Sequence, residues 1–118
     1  MSERAGREWR FYLQDMITFA DKVVIYTDGM DQSGFVGSGL NMTPRCAIWN
    51  LELIGEAATH IPDDVCKANP QIPWRRIIAT RNRLIHGYLG IDHDTLWSLI
   101  RDDIPALLPQ LHKLNDVA

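Results

Sequence analysis

The segment PWRRIIATRNRLIHGY, residues 73–88, decides the fold of this chain. Its apolar side chains recur at the three- and four-residue spacing of an α-helix, at Ile77, Ile78, Leu84 and Ile85. Pro73 suits the first turn of a helix, and Gly87 and Gly90 are residues of the type that ends one. The segment is therefore predicted to be an amphipathic helix with one side in a core.

Three further segments have the same helical periodicity. The first runs from Glu8 to Thr27, before Asp28-Gly29. Its apolar stripe consists of Trp9, Tyr12, Met16, Phe19, Val23 and Tyr26. The second begins at Thr43-Pro44 and ends at Pro62, and the last begins after Asp92 or Asp94, both of which can cap a helix.

The connections between these segments complete the predicted fold. Residues 29–42 contain several glycines and are predicted to be a flexible connection, whereas residues 63–69 are predicted to form a helical turn or two. Pro105 should kink or divide the last helix near Asp103-Ile104. The sequence predicts a single all-α domain over residues 1–118, an antiparallel bundle of four to five helices.

Composition narrows the class of protein. The chain has 118 residues, of which 46% are hydrophobic and 23% are charged, with a net charge of −3. The first ten residues, MSERAGREWR, do not resemble a signal peptide, and no apolar run approaches the ~18 residues of a membrane span, so a cytoplasmic protein without a membrane partner is expected. Cys46 and Cys66 lack a CxxC neighbour and are predicted to be small buried residues.

Basic residues are concentrated in one part of this acidic protein. Between Val65 and Ile91 every charged residue is basic: Lys67, Arg75, Arg76, Arg81 and Arg83. Such a segment can form a local phosphate-binding surface, which makes Arg75, Arg76 and Arg83 candidates for RNA binding. A solvated helix face balanced by nearby acids is the alternative.

Arg81, Asn82, His86 and Tyr88 are the candidates for chemistry. On a helix, Arg81 and Tyr88 lie within ~20° of each other, whereas His86 lies ~140° from Arg81 with Asn82 one turn before it. Arg81 and His86 converge only through fraying near Gly87, a long reach by the arginine, or a second copy of the helix facing the first.

Two facing copies would suit metal-independent cleavage of RNA. The ribose 2′-OH is the nucleophile, a histidine can transfer the proton, and an arginine can stabilise the phosphorane charge. The structural alternatives are a partly buried histidine bonded to the backbone, an arginine in a surface ion pair and a tyrosine in the core. The spacing of His86, Asp92, His93 and Asp94 matches no standard metal site.

Arg81-x4-His86-x-Tyr88 resembles the RX4HXY motif of HEPN ribonuclease toxins of the HepT family. Residues 50–57 resemble that family's NLExIGEA segment, and residues 70–88 resemble its PxIPWRxI…RNxLxHxY segment. Residues 91–111 are similar to its C-terminal helix. The resemblance covers roughly residues 47–111. Trp49, where related sequences often have a basic residue, departs from the pattern, and so does the glycine-rich connection.

The resemblance implies a HEPN-type homodimer with a composite ribonuclease centre between protomers. Arg81 and His86 would be catalytic, Asn82 would support them, and no cofactor or metal would be needed. Tyr88 would accept AMP from a minimal nucleotidyltransferase antitoxin, which silences the toxin. The alternatives are a non-catalytic helical dimer that binds a nucleotide or a nucleotidyltransferase partner, and a structural bundle.

Glu52 and Glu56 are four residues apart and therefore share a face of the second helix. Either carboxylate could orient Arg81 or a partner. Of the two, Glu52 is expected to be buried and paired with an arginine, whereas Glu56 could equally belong to a solvated face.

Overall fold

The computed structural model describes residues 2–37, 44–87 and 92–117. Its elements are α1 Ser2–Thr27, α2 Gln32–Gly37, α3 Pro44–Ala58, α4 Asp63–Ala68, α5 Trp74–Gly87, α6 His93–Ser98, a π-helical turn Leu99–Asp103, and α7 Ile104–Val117. No strand occurs in these three ranges. The predicted all-α bundle is confirmed.

Helix α1 ends where the sequence predicts but begins earlier. Gly29 has a φ of 79°, a left-handed conformation that glycine adopts without steric cost, and the amide of Met30 donates to the carbonyl of Thr27. The predicted flexible connection after Gly29 is wrong in part, because Gln32–Gly37 forms the short helix α2. Phe35 of this helix is fully buried, so packing stabilises a segment whose glycines alone favour a loop.

Helix α3 is the centre of the bundle. It packs against α1 on one side and α5 on the other, and α7 packs against α1. The core is mostly aliphatic, and its largest fully buried members are Phe35, Leu13, Met16, Ile17, Ile54, Ile72, Leu84, Leu96, Ile100, Leu111 and Val23. The predicted stripe on α1 is rotated relative to the observed one, because Leu13 and Ile17 are buried while the side chain of Tyr26 is 53% exposed.

The C-terminal region is divided as Pro105 predicts. The carboxylate of Asp92 accepts a hydrogen bond from the amide of Thr95 at 2.6 Å, which caps α6 and lowers the pKa of Asp92. The π-helical turn ends directly before α7. Pro105 lacks an amide donor and its ring would clash with the carbonyl four residues earlier, so the wider turn accommodates it.

The predicted burial of both cysteines is wrong for one of them. Cys46 is exposed on α3, whereas Cys66 on α4 is half-buried, and neither is in a disulfide. Burial, followed by the nearby Asp63 and Asp64 carboxylates, raises the pKa of the Cys66 thiol. Among the helices that the structure describes, none combines the length and the apolar composition needed to cross a bilayer.

Candidate functional site

Helix α5 is continuous from Trp74 to Gly87 and carries Arg81, Asn82 and His86. The helix does not fray before Gly87, so the directions of Arg81 and His86 differ by the ~140° of regular helical geometry. Tyr88 lies outside the described residues. Within one protomer, therefore, the backbone alone does not bring Arg81 and His86 together.

The Arg81 side chain crosses from α5 to α3 directly over Gly55. A Cβ atom at Gly55 would lie 2.1 Å from the Cβ of Arg81 and 2.8 Å from its Cγ, which is closer than side-chain atoms can approach. The absence of a side chain at Gly55 thus allows α3 and α5 to approach and lets the arginine stem lie between them. The sequence signal for this contact is a glycine within the otherwise apolar and helical segment 50–57.

Two neighbours fix the guanidinium of Arg81. Its Nη2 donates to the Glu56 carboxylate at 2.7 Å, and its Nη1 donates to the side-chain oxygen of Asn82 at 2.8 Å. The Nε atom is buried and has no hydrogen-bond partner among the described residues. The sequence left open whether Arg81 has a catalytic role or lies in a surface ion pair, and the ion pair is observed. That ion pair also orients the guanidinium, the group that would bind phosphate.

Glu56 also faces a second basic side chain. Its other carboxylate oxygen lies 3.5 Å from Nε2 of His60, one turn further along the chain. The imidazole of His60 stacks on the ring of Tyr12 from α1, with ring centroids 4.1 Å apart and planes inclined by 10°. A line of contacts therefore runs from Tyr12 through His60 and Glu56 to Arg81.

The expected pairing of Glu52 is wrong. The structure describes no ion pair of Glu52, and the carboxylate of Glu56 pairs with Arg81 instead. Both glutamates lie on α3, but only Glu56 directly follows Gly55, which lies against the stem of Arg81. Sequence reasoning also missed Tyr12 and His60 as neighbours of the site. The four-residue spacing of Glu56 and His60 was the available signal for one contact, whereas the stacking of Tyr12 on His60 depends on how α1 packs.

His86 is exposed and belongs to a separate stripe of α5. Arg75, exposed as well, lies within ~20° of Asn82, so Arg75, Asn82 and His86 share this stripe. Among the described residues, none forms a hydrogen bond or an ion pair with His86. The structural alternative for His86, a hydrogen bond to a backbone group, is therefore not observed among them. The exposed imidazole is thus available for proton transfer.

Arg76 and Arg83 lie on a stripe of α5 about 90° further round. Nη2 of Arg76 donates to the carboxylate of Asp103 at 2.8 Å, beside a groove of about 240 Å³ between α3, α5 and the C-terminal helices. The positive charge of Arg83 contributes to the lowered pKa of Asp92. Of the three candidate RNA-binding arginines, Arg75 alone shares the stripe of His86.

Exposed apolar side chains flank the arginine. Trp49 on α3 is 65% exposed and lies within ~20° of Glu56 around that helix, while Ile85 on α5 is 44% exposed. We call the solvent-facing sides of α3 and α5 that carry Trp49, Glu56, Asn82, Ile85 and His86 the outer face. Within the described ranges, no three His, Cys, Asp or Glu side chains converge as metal ligands would.

Comparisons with known proteins agree with the sequence resemblance. Residues 16–114 match the family model described as ribonuclease HepT-like. A protein of Methanocaldococcus jannaschii named "Putative RNase" is 34% identical over 101 residues, which cover 86% of this chain and 91% of that protein. "Probable ribonuclease HepT" of Thermococcus cleftensis is 34% identical over 109 residues, or 92% and 97% of the two chains.

No solved structure gives a significant match to the chain. The matched family model covers most of the chain, and the relatives named above extend over nearly their whole lengths. These similarities support a ribonuclease-type function at the level of the family. The chain belongs to the ribonuclease HepT-like family.

Proposed function

We propose that this protein is a metal-independent endoribonuclease toxin of a toxin–antitoxin module, with a composite active site between two protomers. The observation that carries the proposal is that one helix of a HepT-like chain carries both a fixed Arg81 and an exposed His86. The guanidinium is oriented by Glu56 and Asn82, and the imidazole is open to a substrate.

The proposed reaction uses the RNA's own nucleophile. The ribose 2′-OH attacks the adjacent phosphorus while His86 removes its proton, and Arg81 donates hydrogen bonds to the phosphorane oxygens. The bond from phosphorus to the 5′-oxygen breaks, and that oxygen takes a proton from a water molecule, whose hydroxide then accepts the proton held by His86. The products are a 2′,3′-cyclic phosphate and a 5′-hydroxyl.

The geometry of α5 supports the participation of a second protomer. Arg81 and His86 diverge by ~140° around that helix, and the guanidinium is held toward α3. A twofold-related copy would bring each arginine opposite the histidine of its partner. Trp49 and Ile85 expose apolar surface on the outer face, as expected of a contact between protomers.

The test is RNA cleavage by His86→Ala and Arg81→Ala. Each substitution should lower the cleavage rate by ~10²–10⁴-fold, because a proton-transfer group or a transition-state charge has been removed. His93→Ala is the matched control, since His93 is also exposed but lies on α6. Circular dichroism should show all three variants folded.

Two results would overturn the catalytic proposal. The first is full activity of His86→Ala. The second is loss of cleavage in EDTA that returns only with added divalent metal, because the reaction proposed above needs none. RNA binding without any cleavage by the wild type would instead support a non-catalytic dimer.

We propose that the ribonuclease activity is controlled by modification of Tyr88. The resemblance of Arg81-x4-His86-x-Tyr88 to the toxin motif supports AMP transfer to the tyrosine hydroxyl by a minimal nucleotidyltransferase antitoxin. An attached adenylate would bring a phosphate and a nucleoside to the RNA site.

Co-expression with such an enzyme should therefore give adenylate mass increments on the peptide that contains Tyr88. Tyr88→Phe should remain an active nuclease and escape silencing, whereas Tyr26→Phe, a change at another tyrosine, should be silenced normally. Increments that map to a different peptide would contradict this mechanism of control.

A further inference from the structure

We propose that Glu56 is a positioning residue for Arg81, and that His60 and Tyr12 hold Glu56 in place. This rests on the proposed function, in which Arg81 binds the scissile phosphate. It extends the site from α5 across the outer face to α1, through residues to which neither the motif nor the comparisons give a role. Its basis is the line of contacts from Tyr12 to Arg81.

The neighbours of Arg81 use only some of its N–H donors. A guanidinium has five N–H groups. One on Nη2 goes to Glu56, one on Nη1 goes to Asn82, and the Nε group is buried. One N–H on each terminal nitrogen is left for a phosphate. With the stem fixed over Gly55, loss of the Glu56 contact would free the guanidinium to rotate away from a bound phosphate.

Glu56 needs a restraint of its own in order to position Arg81. Its side chain is half exposed, so burial does not fix the carboxylate. His60 provides the restraint when its imidazole is protonated, because its Nε2 then forms an ion pair, at 3.5 Å, with the carboxylate oxygen that Arg81 does not use. The two oxygens of one carboxylate thus contact two different basic groups, and the carboxylate loses one of these contacts if His60 is removed.

Tyr12 supports the ring of His60. His60 lies just beyond the end of α3 and is also about half exposed, so its ring needs a support to stay near Glu56. The nearly parallel ring of Tyr12 provides that support from α1. The contribution of this stacking contact is modest. The chain of restraint predicts effects that weaken from Glu56 to His60 to Tyr12.

The experiment measures the cleavage kinetics of the folded dimer. Glu56→Ala should lower kcat by on the order of 10- to 100-fold with little change in KM, because a misplaced guanidinium fails mainly in the transition state. Tyr12→Ala should lower kcat by roughly two- to tenfold, as expected for loss of a stacking contact. Tyr12→Phe keeps the ring and should retain wild-type rates.

A double-mutant cycle separates positioning from general destabilisation. In a Glu56→Ala background, Tyr12→Ala should have no further effect on kcat, since its only route to Arg81 is gone. Glu52→Ala and Phe11→Ala are the matched controls, each on the same helix as its counterpart, and both should leave kcat unchanged. Additive effects of Tyr12→Ala and Glu56→Ala would overturn the proposal.

A measurement independent of cleavage distinguishes failure of this inference from failure of the proposed function. The buried Nε–H of Arg81 should give a resolved ¹⁵N–¹H signal, assigned through its loss in Arg81→Lys. That signal should shift or broaden in Glu56→Ala and in His60→Ala. If it does not change, the positioning role is wrong whatever the RNA assay shows. If it changes while the wild type fails to cleave RNA, only the nuclease assignment falls.

Discussion

Arg81 owes its position to a neighbour that has no side chain. Its Cβ and Cγ atoms occupy the space where a side chain at Gly55 would begin, and its guanidinium then reaches Glu56, the next residue of α3. Two consecutive residues of α3 therefore determine where the stem of the arginine lies and where its charge points. The contact links the packing of two helices to the orientation of a group proposed to bind phosphate.

Gly55→Ala should destabilise the fold and impair the site. The new methyl group would overlap the arginine stem, and overpacking of this kind costs about 1–3 kcal/mol. Better helix propensity offsets about 1 kcal/mol of that cost. Denaturant unfolding should show a lower free energy of unfolding, and RNA cleavage should fall as well.

Gly34→Ala is the control for that substitution. Among the described residues, a Cβ there would meet only the carboxylate oxygen of Asp31, at 3.2 Å. That oxygen accepts a hydrogen bond from the Gly34 amide, and a small shift of the carboxylate accommodates the new methyl group. Its free energy of unfolding should stay near that of the wild type. Equal stability of Gly55→Ala and Gly34→Ala would contradict the interpretation of the close contact.

Helix α5 presents different stripes to different partners. Arg81 faces α3, while Arg75, Asn82 and His86 share an outward stripe. Arg76 turns toward Asp103 of the π-helical turn. The clustering of basic residues in the sequence therefore does not correspond to one basic surface in the structure.

Arg75→Ala should weaken RNA binding more than Arg76→Ala does. Arg75 shares the stripe of His86, whereas the charge of Arg76 is partly neutralised by Asp103 at 2.8 Å. Affinity for a 2′-O-methyl RNA, which cannot be cleaved, should be measured at several salt concentrations. Loss of one phosphate contact should reduce the slope of log K against log[salt] by about 0.7–0.9. An equal loss in the two variants would show that the stripe does not matter.

The helices were predictable from local patterns, and their contacts were predictable only in part. Periodicity and capping residues predicted the extent of α5, the division before α7 and a cap at Asp92 or Asp94, of which Asp92 is the one observed, because these depend on neighbours in sequence. The sequence favoured Glu52 over Glu56 as the partner of an arginine, and this prediction was wrong. Both glutamates lie on α3 about one turn apart, and the position of α5 decides which of them reaches Arg81. Likewise, no local pattern places Tyr12 against His60, which belongs to another helix.

The outer face is expected to be where two protomers meet. A stable interface buries roughly 800 Å² per partner, about a tenth of the 7363 Å² accessible surface of this chain. Trp49 and Ile85 provide exposed apolar contacts there, beside Arg81 and His86. Assembly and catalysis would then depend on the same surface.

Trp49→Glu should shift the protein from dimer to monomer and reduce cleavage, because a charge would be placed in an apolar contact. Sedimentation at micromolar concentration measures the change. Val117→Glu is the control, since Val117 is 77% exposed but lies at the end of α7. A wild type that sediments only as a monomer would refute the expected assembly.

Mixed dimers test whether the two protomers share a site. Arg81→Ala and His86→Ala chains, each inactive alone, should regain on the order of a quarter of wild-type activity when co-expressed. Half of the randomly formed dimers are mixed, and each mixed dimer keeps one intact arginine opposite one intact histidine. No recovery in purified mixed dimers would mean that the two groups act within one protomer.

The contact at Gly55 also bears on how the gene can lose its activity. Every change at the first or second base of a glycine codon either replaces the amino acid or creates a stop codon, and any side chain so introduced meets the stem of Arg81. Under the proposed function, bacteria that overproduce the protein without its antitoxin survive only by mutation. Survivors that still accumulate full-length protein should therefore carry changes in the codon of Gly55, as well as in those of Arg81 and His86.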